Sequence, residues 1–484
     1  MRGMIFKALR PMALGAALAL SGCGTIDTTP INVVSTGPGA PSPTYIPDAG
    51  DDGSTVVALA FSGGGMRAAA WAYGALLELD SMVIDTVPYR RTLVDDVRTV
   101  AGTSGGAVTA AYLGYKGKEG YRDFRERFLY QDAEAYMATS MLPGTLLKAA
   151  FSGGANDRSS FARWLDEKLF DRATFAAFRR PDRPIVWLTA SDIYNNTPFL
   201  FTRTTFAALC SDIDDLKIAN AVGASAAFPI VFAPMMLQTP KEDCQYDRPR
   251  WLQHALDAKN PSIRLQAYAR ALDSYQSNAD LGFVRLLDGG LTDNLGITGL
   301  TLERAKADTP HGPLSPHQAV RLRNFLFIVT DAGVHTQYGW GLSPVPTRLD
   351  KVIVAATDTA LASASRSGFD AVDLALKQWQ DALVRYRCGL PRNEVLRLRG
   401  TLAQWDCRDV TVTTEHVSFR EAAPELFARL NNIPTRLKLP RDQVDLIINA
   451  ARDTIRRNAN IKAIVDATRR NAPIFDHGAL VARR

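Results

Sequence analysis

The 484-residue chain reads as an α/β protein with a mostly parallel central sheet, and three observations predict it. Residues 55–61 (TVVALAF) and the run FLFIV from Phe325 are almost wholly apolar and of strand length, which suits strands covered by helices on both faces. Glycine clusters at 63–65 and 102–106 stand where an apolar strand gives way to a helical pattern. Helical runs, such as 68–79 and 351–385, alternate with these strands along the chain.

The first 22 residues stand apart from the fold. Arg2, Lys7 and Arg10 precede a short apolar run, Met12 to Leu20, too short to span a bilayer as a stable helix. The run closes on Leu20, Ser21, Gly22 and Cys23, which resembles a bacterial lipoprotein signal in which Cys23 becomes the lipidated first residue. Lipidation at Cys23 predicts a protein held in the bacterial envelope, on the periplasmic side of an outer membrane. Residues 24–54 are rich in Pro, Gly, Ser and Thr without hydrophobic period and read as a flexible linker spanning roughly 30 Å as a coil.

The formal net charge of +6 includes three positive charges in residues 1–22, so the mature chain carries about +3. That surplus gives no argument for a nucleic-acid partner. Cys210, Cys244, Cys388 and Cys407 remain after Cys23, and three pairings are open; the nearest-neighbour one, Cys210 with Cys244 and Cys388 with Cys407, is expected. No CxxC occurs and the six histidines are scattered, so no metal site is expected.

The folded body is read as residues 55–484, with the motifs within 55–335 and a helix-rich completion over 336–484. Val97 to Ala101 ends a short strand, Ala107 to Tyr112 opens a helix, and GTSGG lies between them. A strand that reverses sharply into a helix crowds its own backbone, glycines relieve the crowding, and Ser104 is thereby raised above the sheet edge. The earlier run Ser62 to Arg67, SGGGMR, also opens a helix, and a glycine run there offers N–H donors near the positive end of the helix dipole. A nucleotide loop is the rival reading of these glycines, but GxGxxG is absent and no GKS or GKT follows, so no cofactor is expected.

Gly63 to Arg67 followed by GTSGG resembles the patatin-like phospholipases. Two later stretches extend the resemblance: Ala224 to Pro229 (ASAAFP) resembles the family's ASxAxP block, and Asp288-Gly289-Gly290 its DGG. The family pattern continues with Asn and, two residues on, Pro; here Asn294 is followed at that distance by Gly296, so the loop is expected to turn differently. The resemblance implies a three-layer α/β/α fold and a Ser104/Asp288 dyad without histidine. Asp288 would take the Ser104 proton as its Oγ attacks an ester carbonyl, giving an acyl-enzyme that water hydrolyses. Gly63, Gly64 and Gly65, with Gly105, would hold the oxyanion. Arg67 would attract a lipid phosphate or serve as a structural ion-pair partner.

Asp288 also stands by itself at the end of a short strand, 283–287, where ligands bind in parallel sheets; a turn aspartate capping its own backbone is the simpler reading of DGG in isolation. The order Ser104 then Asp288 further permits a triad, for which His311, His317, His335, His416 or His477 would have to serve. Asp331, at another strand end, is the reserve base. Residues 184–190 and 198–202 read as an antiparallel pair around Asn195 and Asn196, 410–419 as a strand, and 441–469 as one long amphipathic helix. The reading that results is a lipid acyl hydrolase acting on phospholipid or lysophospholipid esters, with a catalytically silent lipid- or partner-binding lipoprotein as the alternative.

Overall fold

Eight strands form the central sheet: β1 (Thr55–Phe61), β2 (Val97–Thr103), β3 (Ile185–Asp192), β4 (Thr197–Leu200), β5 (Met235–Gln238), β6 (Phe283–Asp288), β7 (Asn324–Asp331) and β8 (Thr411–Ser418). The computed structural model describes residues 27, 29–35, 45–47, 52–86, 90–137, 154–240, 244–259, 262–334, 344, 346 and 349–471. The signal segment, Cys23, much of the linker, His335 and His477 lie outside them.

The sheet order is β8-β7-β1-β2-β3-β6-β5, with β4 paired to β3. Neighbours from β8 to β3 run parallel, whereas β3 pairs antiparallel with β4 and β6, and β6 with β5. Alternate residues of the parallel strands feed two separate cores. Val57, Leu59, Phe61, Leu326 and Ile328 join a cluster with helices α1 (Gly65–Ser81) and α2 (Gly105–Gly120). Val56, Ala58, Ala60, Phe325, Phe327 and Val329 face the other way, onto Val372, Leu376 and Trp379 of the long helix Leu349–Cys388. Both faces are therefore buried, which is why these strands are apolar throughout and why the fold has three layers.

Four further helices matter to the site and its support. These are α3 (Arg158–Lys168), α4 (Ile218–Ser225), α5 (Leu349–Cys388) and α6 (Arg441–Arg457). Residues 336–484 contribute β8, which pairs with β7 along its whole length from Asn324↔Thr411 to Asp331↔Ser418, and α6, whose Val444, Ile447, Ile448 and Ile455 are buried in the α1 and α2 core. The helix read over 441–469 is in fact two, α6 and α7 (Ala459–Asn471). The break has a tertiary cause: Asn458 leaves helical geometry (ψ 118°), accepts the Ile461 N–H on its Oδ1 and donates to the buried Glu415 of β8. Periodicity alone carried no trace of that partner.

Both disulfides take the nearest-neighbour pairing, Cys210 to Cys244 and Cys388 to Cys407, with Cα separations of 6.0 and 4.9 Å. The hairpin expected at Asn195 and Asn196 is β3–β4, and its Trp187 and Phe199, with Phe201 just beyond it, are core residues. Residues 250–257 and 263–277 form a helical pair stitched to the body by Tyr275 Oη on Asp192 (2.8 Å) and Tyr268 Oη with Thr205 (2.8 Å). The linker departs from the free coil expected over 24–54, because its described residues are docked: Ile46 is buried, and Ile31 donates its N–H to Met236 O at 2.9 Å.

Helices α1 and α6 approach closely at Gly74 of α1. A Cβ there would stand 2.6 Å from Ile448 O and 2.8 Å from Ala451 Cβ of α6. Alanine gains about 1 kcal/mol of helix propensity over glycine, but an overpacked core costs about 1–3 kcal/mol, and the obstruction here is backbone. Gly74→Ala is accordingly expected to lower the thermal unfolding midpoint by a few degrees; an unchanged or raised midpoint would show that α1 and α6 are less tightly apposed than described.

Candidate active site

Ser104 sits between β2 and α2 with φ 52° and ψ −119°, a conformation that a non-glycine residue rarely adopts and that costs roughly 1–3 kcal/mol. The turn survives because its neighbours leave no other course. Gly105 passes so close to the Gly65 carbonyl that a Cβ on it would overlap that oxygen, while Gly106 donates its N–H to Ser62 O at 3.2 Å. The two glycine-rich turns read separately in the sequence are thus one packed unit. Ser225, at the end of α4, clamps it from the other side: its Oγ accepts the Ser104 N–H at 2.8 Å and donates to Thr189 O of β3 at 2.6 Å.

The Ser104 Oγ donates to Asp288 Oδ2 at 2.9 Å. Asp288 ends β6 in register with Ala190 of β3, and its backbone is fixed from both sides, its N–H donating to Ala227 O and its carbonyl accepting from Ser191 Oγ. The Gly290 N–H donates to Asp288 Oδ1 at 2.8 Å, so the turn reading of DGG and the functional one are both realised, on different oxygens of one carboxylate. Burial pushes the Asp288 carboxyl up from its ordinary 3.8 to about 6, against the smaller opposing effect of the hydrogen bonds from Gly290 and Ser104. A carboxylate so placed is a better base near neutral pH than a free one.

The expected oxyanion donors divide. Gly64, Gly65 and Gly105 have N–H groups with no acceptor among the described residues, and Gly65 and Gly105 open α1 and α2, where first-turn donors lack partners within the helix. Gly63 does not belong with them, because its N–H is already donated to Asn294 O at 2.8 Å. Gly63 and Asn294 instead join the first glycine loop to the loop after Asp288. In that loop Gly296 takes a left-handed conformation (φ 71°), and the Asp293 carboxylate accepts from the N–H groups of Ile297 and Thr298.

Arg67 also departs from the phosphate-binding and ion-pairing roles expected of it and is tied to backbone carbonyls instead. It is buried, with Nε donating to Ala332 O at 3.0 Å and Nη1 to Ile433 O at 2.6 Å, and burial brings its pKa down to about 10 while Asp331 and Asp358 oppose the fall. Those bonds moor the start of α1 to the end of β7 and to the segment before α6. Asp331, the reserve base, is committed elsewhere: its Oδ2 lies 3.1 Å from His416 Nε2 and its Oδ1 accepts the Gly333 N–H. His311 is buried with Nδ1 2.7 Å from Leu314 O. Among the described residues no histidine contacts Ser104 or Asp288, and none forms a metal-binding cluster with neighbouring carboxylates or thiols. The positioning roles of Ser225, Ser191 and Asn294 were not assigned from sequence; for Ser225 and Asn294, their places beside the ASAAFP and DGG stretches were the available signal.

The candidate site thus brings together a strained serine at a strand-to-helix turn, a buried aspartate bonded to it and two glycine-rich helix starts. A family model described as patatin-like phospholipase matches residues 59–301, about half of the chain, and the protein belongs to that family. No curated protein matches it. Among solved structures, similar ones include human GIVD cytosolic phospholipase A2 (14% identity, 87% of this chain and 63% of that one, TM-score 0.39). VipD from Legionella pneumophila (12% identity, 93% and 73%, TM-score 0.28) and the ExoU–SpcU complex of Pseudomonas aeruginosa (14% identity, 88% and 71%, TM-score 0.24) are others. The chain spans less than two thirds of the length of the human protein.

The raised pKa of Asp288 has a stability consequence. Between about pH 4 and pH 6 the folded chain holds a proton there that the unfolded chain has lost, so stability falls as pH rises through that window and the full penalty applies above it. A rise of this size corresponds to roughly 3 kcal/mol at most. Asp288→Asn, which keeps an acceptor for Gly290, is expected to be more stable than the native chain by about 1–3 kcal/mol at pH 7.5 and indistinguishable from it below pH 4. Denaturant midpoints measured across that range check this, and equal midpoints at pH 7.5 would mean that the native carboxylate is not held in a dry site.

Proposed function

We propose that the protein is a serine-dependent acyl hydrolase that cleaves carboxylic esters of membrane lipids, phospholipids or lysophospholipids, from an anchored position in the bacterial envelope. The observation that carries the reading is the 2.9 Å hydrogen bond from a strained Ser104 to a buried Asp288. Membership of the patatin-like phospholipase family supports the lipid class of substrate.

In the proposed cycle Asp288 Oδ2 accepts the Ser104 proton as Oγ bonds to the ester carbonyl carbon, and the carbonyl electron pair moves to oxygen. The N–H groups of Gly64, Gly65 and Gly105 are the candidate donors to that oxyanion, each worth roughly 3 kcal/mol in comparable sites. Collapse breaks the ester C–O bond, and the alcohol leaves with the proton held by Asp288. Water then repeats the sequence on the acyl-enzyme, giving up its proton to Asp288 and releasing the fatty acid with Ser104 restored. Ser225 serves as a positioning residue, fixing the backbone of Ser104 without touching the substrate.

Release of free fatty acid from mixed phospholipid vesicles, with Ser104→Ala beside the native chain, tests this reading. The native protein is expected to release fatty acid at least about a thousandfold faster than the variant, with kcat/KM rising tenfold per pH unit below about 6 and levelling above it. Lipid binding without release above the Ser104→Ala background would favour a silent lipid-binding protein on the same scaffold.

A further inference from the structure

The described part of the N-terminal segment does not hang free. Asp27 Oδ1 lies 3.0 Å from Nη2 of Arg158, whose side chain is 3% exposed, and Thr29 O accepts from the same nitrogen. Further on, Ile31 donates its N–H to Met236 O, and Asn32 exchanges hydrogen bonds with Gln238 while its Nδ2 also donates to Ser211 Oγ. Val34 forms a bridge with Ser211, and Ser35 N–H donates to Cys210 O at 2.6 Å. Residues 27 and 29–35 thus run along the body as a strap, and Asn32 is itself buried.

The end of the strap nearer the chain start is tied through Arg158 to the helix pair that carries Ser225. Helices α3 and α4 pack antiparallel: Gly223 of α4 abuts Ala162 of α3, and Thr174, beyond the end of α3, bridges Lys217 at the start of α4. Arg158, at the first residue of α3, therefore lies by the end of α4, where Ser225 accepts the Ser104 N–H. A second connection agrees: Asn156 pairs with Phe232, whose N–H donates to Phe228 O, and Ala227 next to Phe228 accepts the Asp288 N–H. Phe228 is 45% exposed, and Ile193 and Tyr194, just beyond the end of β3 on the Ser104 side of the sheet, are exposed as well. Exposed apolar side chains at this end of the sheet suit contact with a bilayer.

We propose that the strap pins the membrane-attached N-terminus beside the mouth of the Ser104 site, so that the enzyme hydrolyses lipids of the bilayer to which it is itself attached. The proposal rests on the lipid hydrolase reading and on lipidation at Cys23. Asp27 is four residue steps from Cys23, with three residues between them, a reach of at most about 14 Å, so the anchor is held far closer to the site than a free linker from 24 to 54 would hold it. The strap thereby sets which face of the protein meets the membrane.

The test uses the mature full-length chain reconstituted into vesicles of phosphatidylethanolamine and phosphatidylglycerol, mixed with protein-free vesicles of the same lipids bearing a different isotope label. Fatty acid is expected from the carrier vesicles roughly tenfold faster than from the others, and a flexible insert of about ten Gly and Ser residues between Cys23 and Asp27 is expected to erode that preference while leaving hydrolysis of a soluble ester unchanged. Equal release from both vesicle populations, insensitivity to the insert, or an intact mass without lipid on Cys23 would overturn the proposal. Hydrogen exchange separates the strap from the chemistry: slow exchange at the Ile31 and Ser35 amides is expected in native and Ser104→Ala chains alike, and fast exchange there overturns the strap whatever the activity. Protected strap amides with no fatty acid from either population would instead remove the lipid hydrolase reading, and this proposal with it.

Discussion

The backbone of Ser104 is the constraint on which the rest of the site depends. A non-glycine residue at φ 52° persists only where the surroundings over-determine it, and here they do so from three directions. β2 enters from below in the middle of a parallel sheet, the SGGG loop closes over Gly105 and Gly106, and Ser225 holds the Ser104 N–H from α4. The SGGG loop and Ser225 both come from far away in sequence. The strained turn is consequently a property of the assembled sheet, and it positions Oγ where a short local motif could not.

Asp288 shows the complementary cost. Its carboxylate is buried at the end of β6, satisfied by one backbone N–H and one hydroxyl, and burial raises its pKa toward neutrality. A site that shifts a pKa this way surrenders stability at the pH where it works. The two cores on either face of the sheet supply the rigidity that tolerates both liabilities, and β8, α5 and α6 contribute to them from the far end of the chain. The C-terminal third thus has a direct bearing on the chemistry: Ile433 O and Ala332 O receive the guanidinium of Arg67, which begins the helix behind the glycine loop.

Much of this was legible in the sequence because it is written in local pattern. Doubly buried strands announced themselves as unbroken apolar runs, and the strand-to-helix junctions by their glycines, so the parallel sheet and the raised Ser104 could be read directly, while Asp288 entered as its partner through the resemblance to the patatin-like phospholipases. What escaped is tertiary. Gly63 looked like any donor of the glycine run until Asn294, more than two hundred residues on, was seen to occupy its N–H. Arg67 looked like a phosphate contact or an ion-pair partner, yet its partners are backbone carbonyls that no motif marks. Asn458 breaks an otherwise continuous amphipathic pattern because Glu415 reaches it from a neighbouring strand. The docked strap hid in a composition typical of linkers, since Ile31 and Asn32 are too few to register as a period.

The central claim is that Asp288 activates Ser104 and that no histidine does. Peptide mass spectrometry after treatment with an alkyl fluorophosphonate, which phosphonylates only an activated serine, tests it most directly. The account predicts a single adduct on Ser104, formed at least about a hundredfold more slowly in Asp288→Asn and at an unchanged rate when His311 or His416 is replaced. An adduct on a different serine, or labelling of Ser104 that is indifferent to Asp288 and lost with one of those histidines, would contradict it.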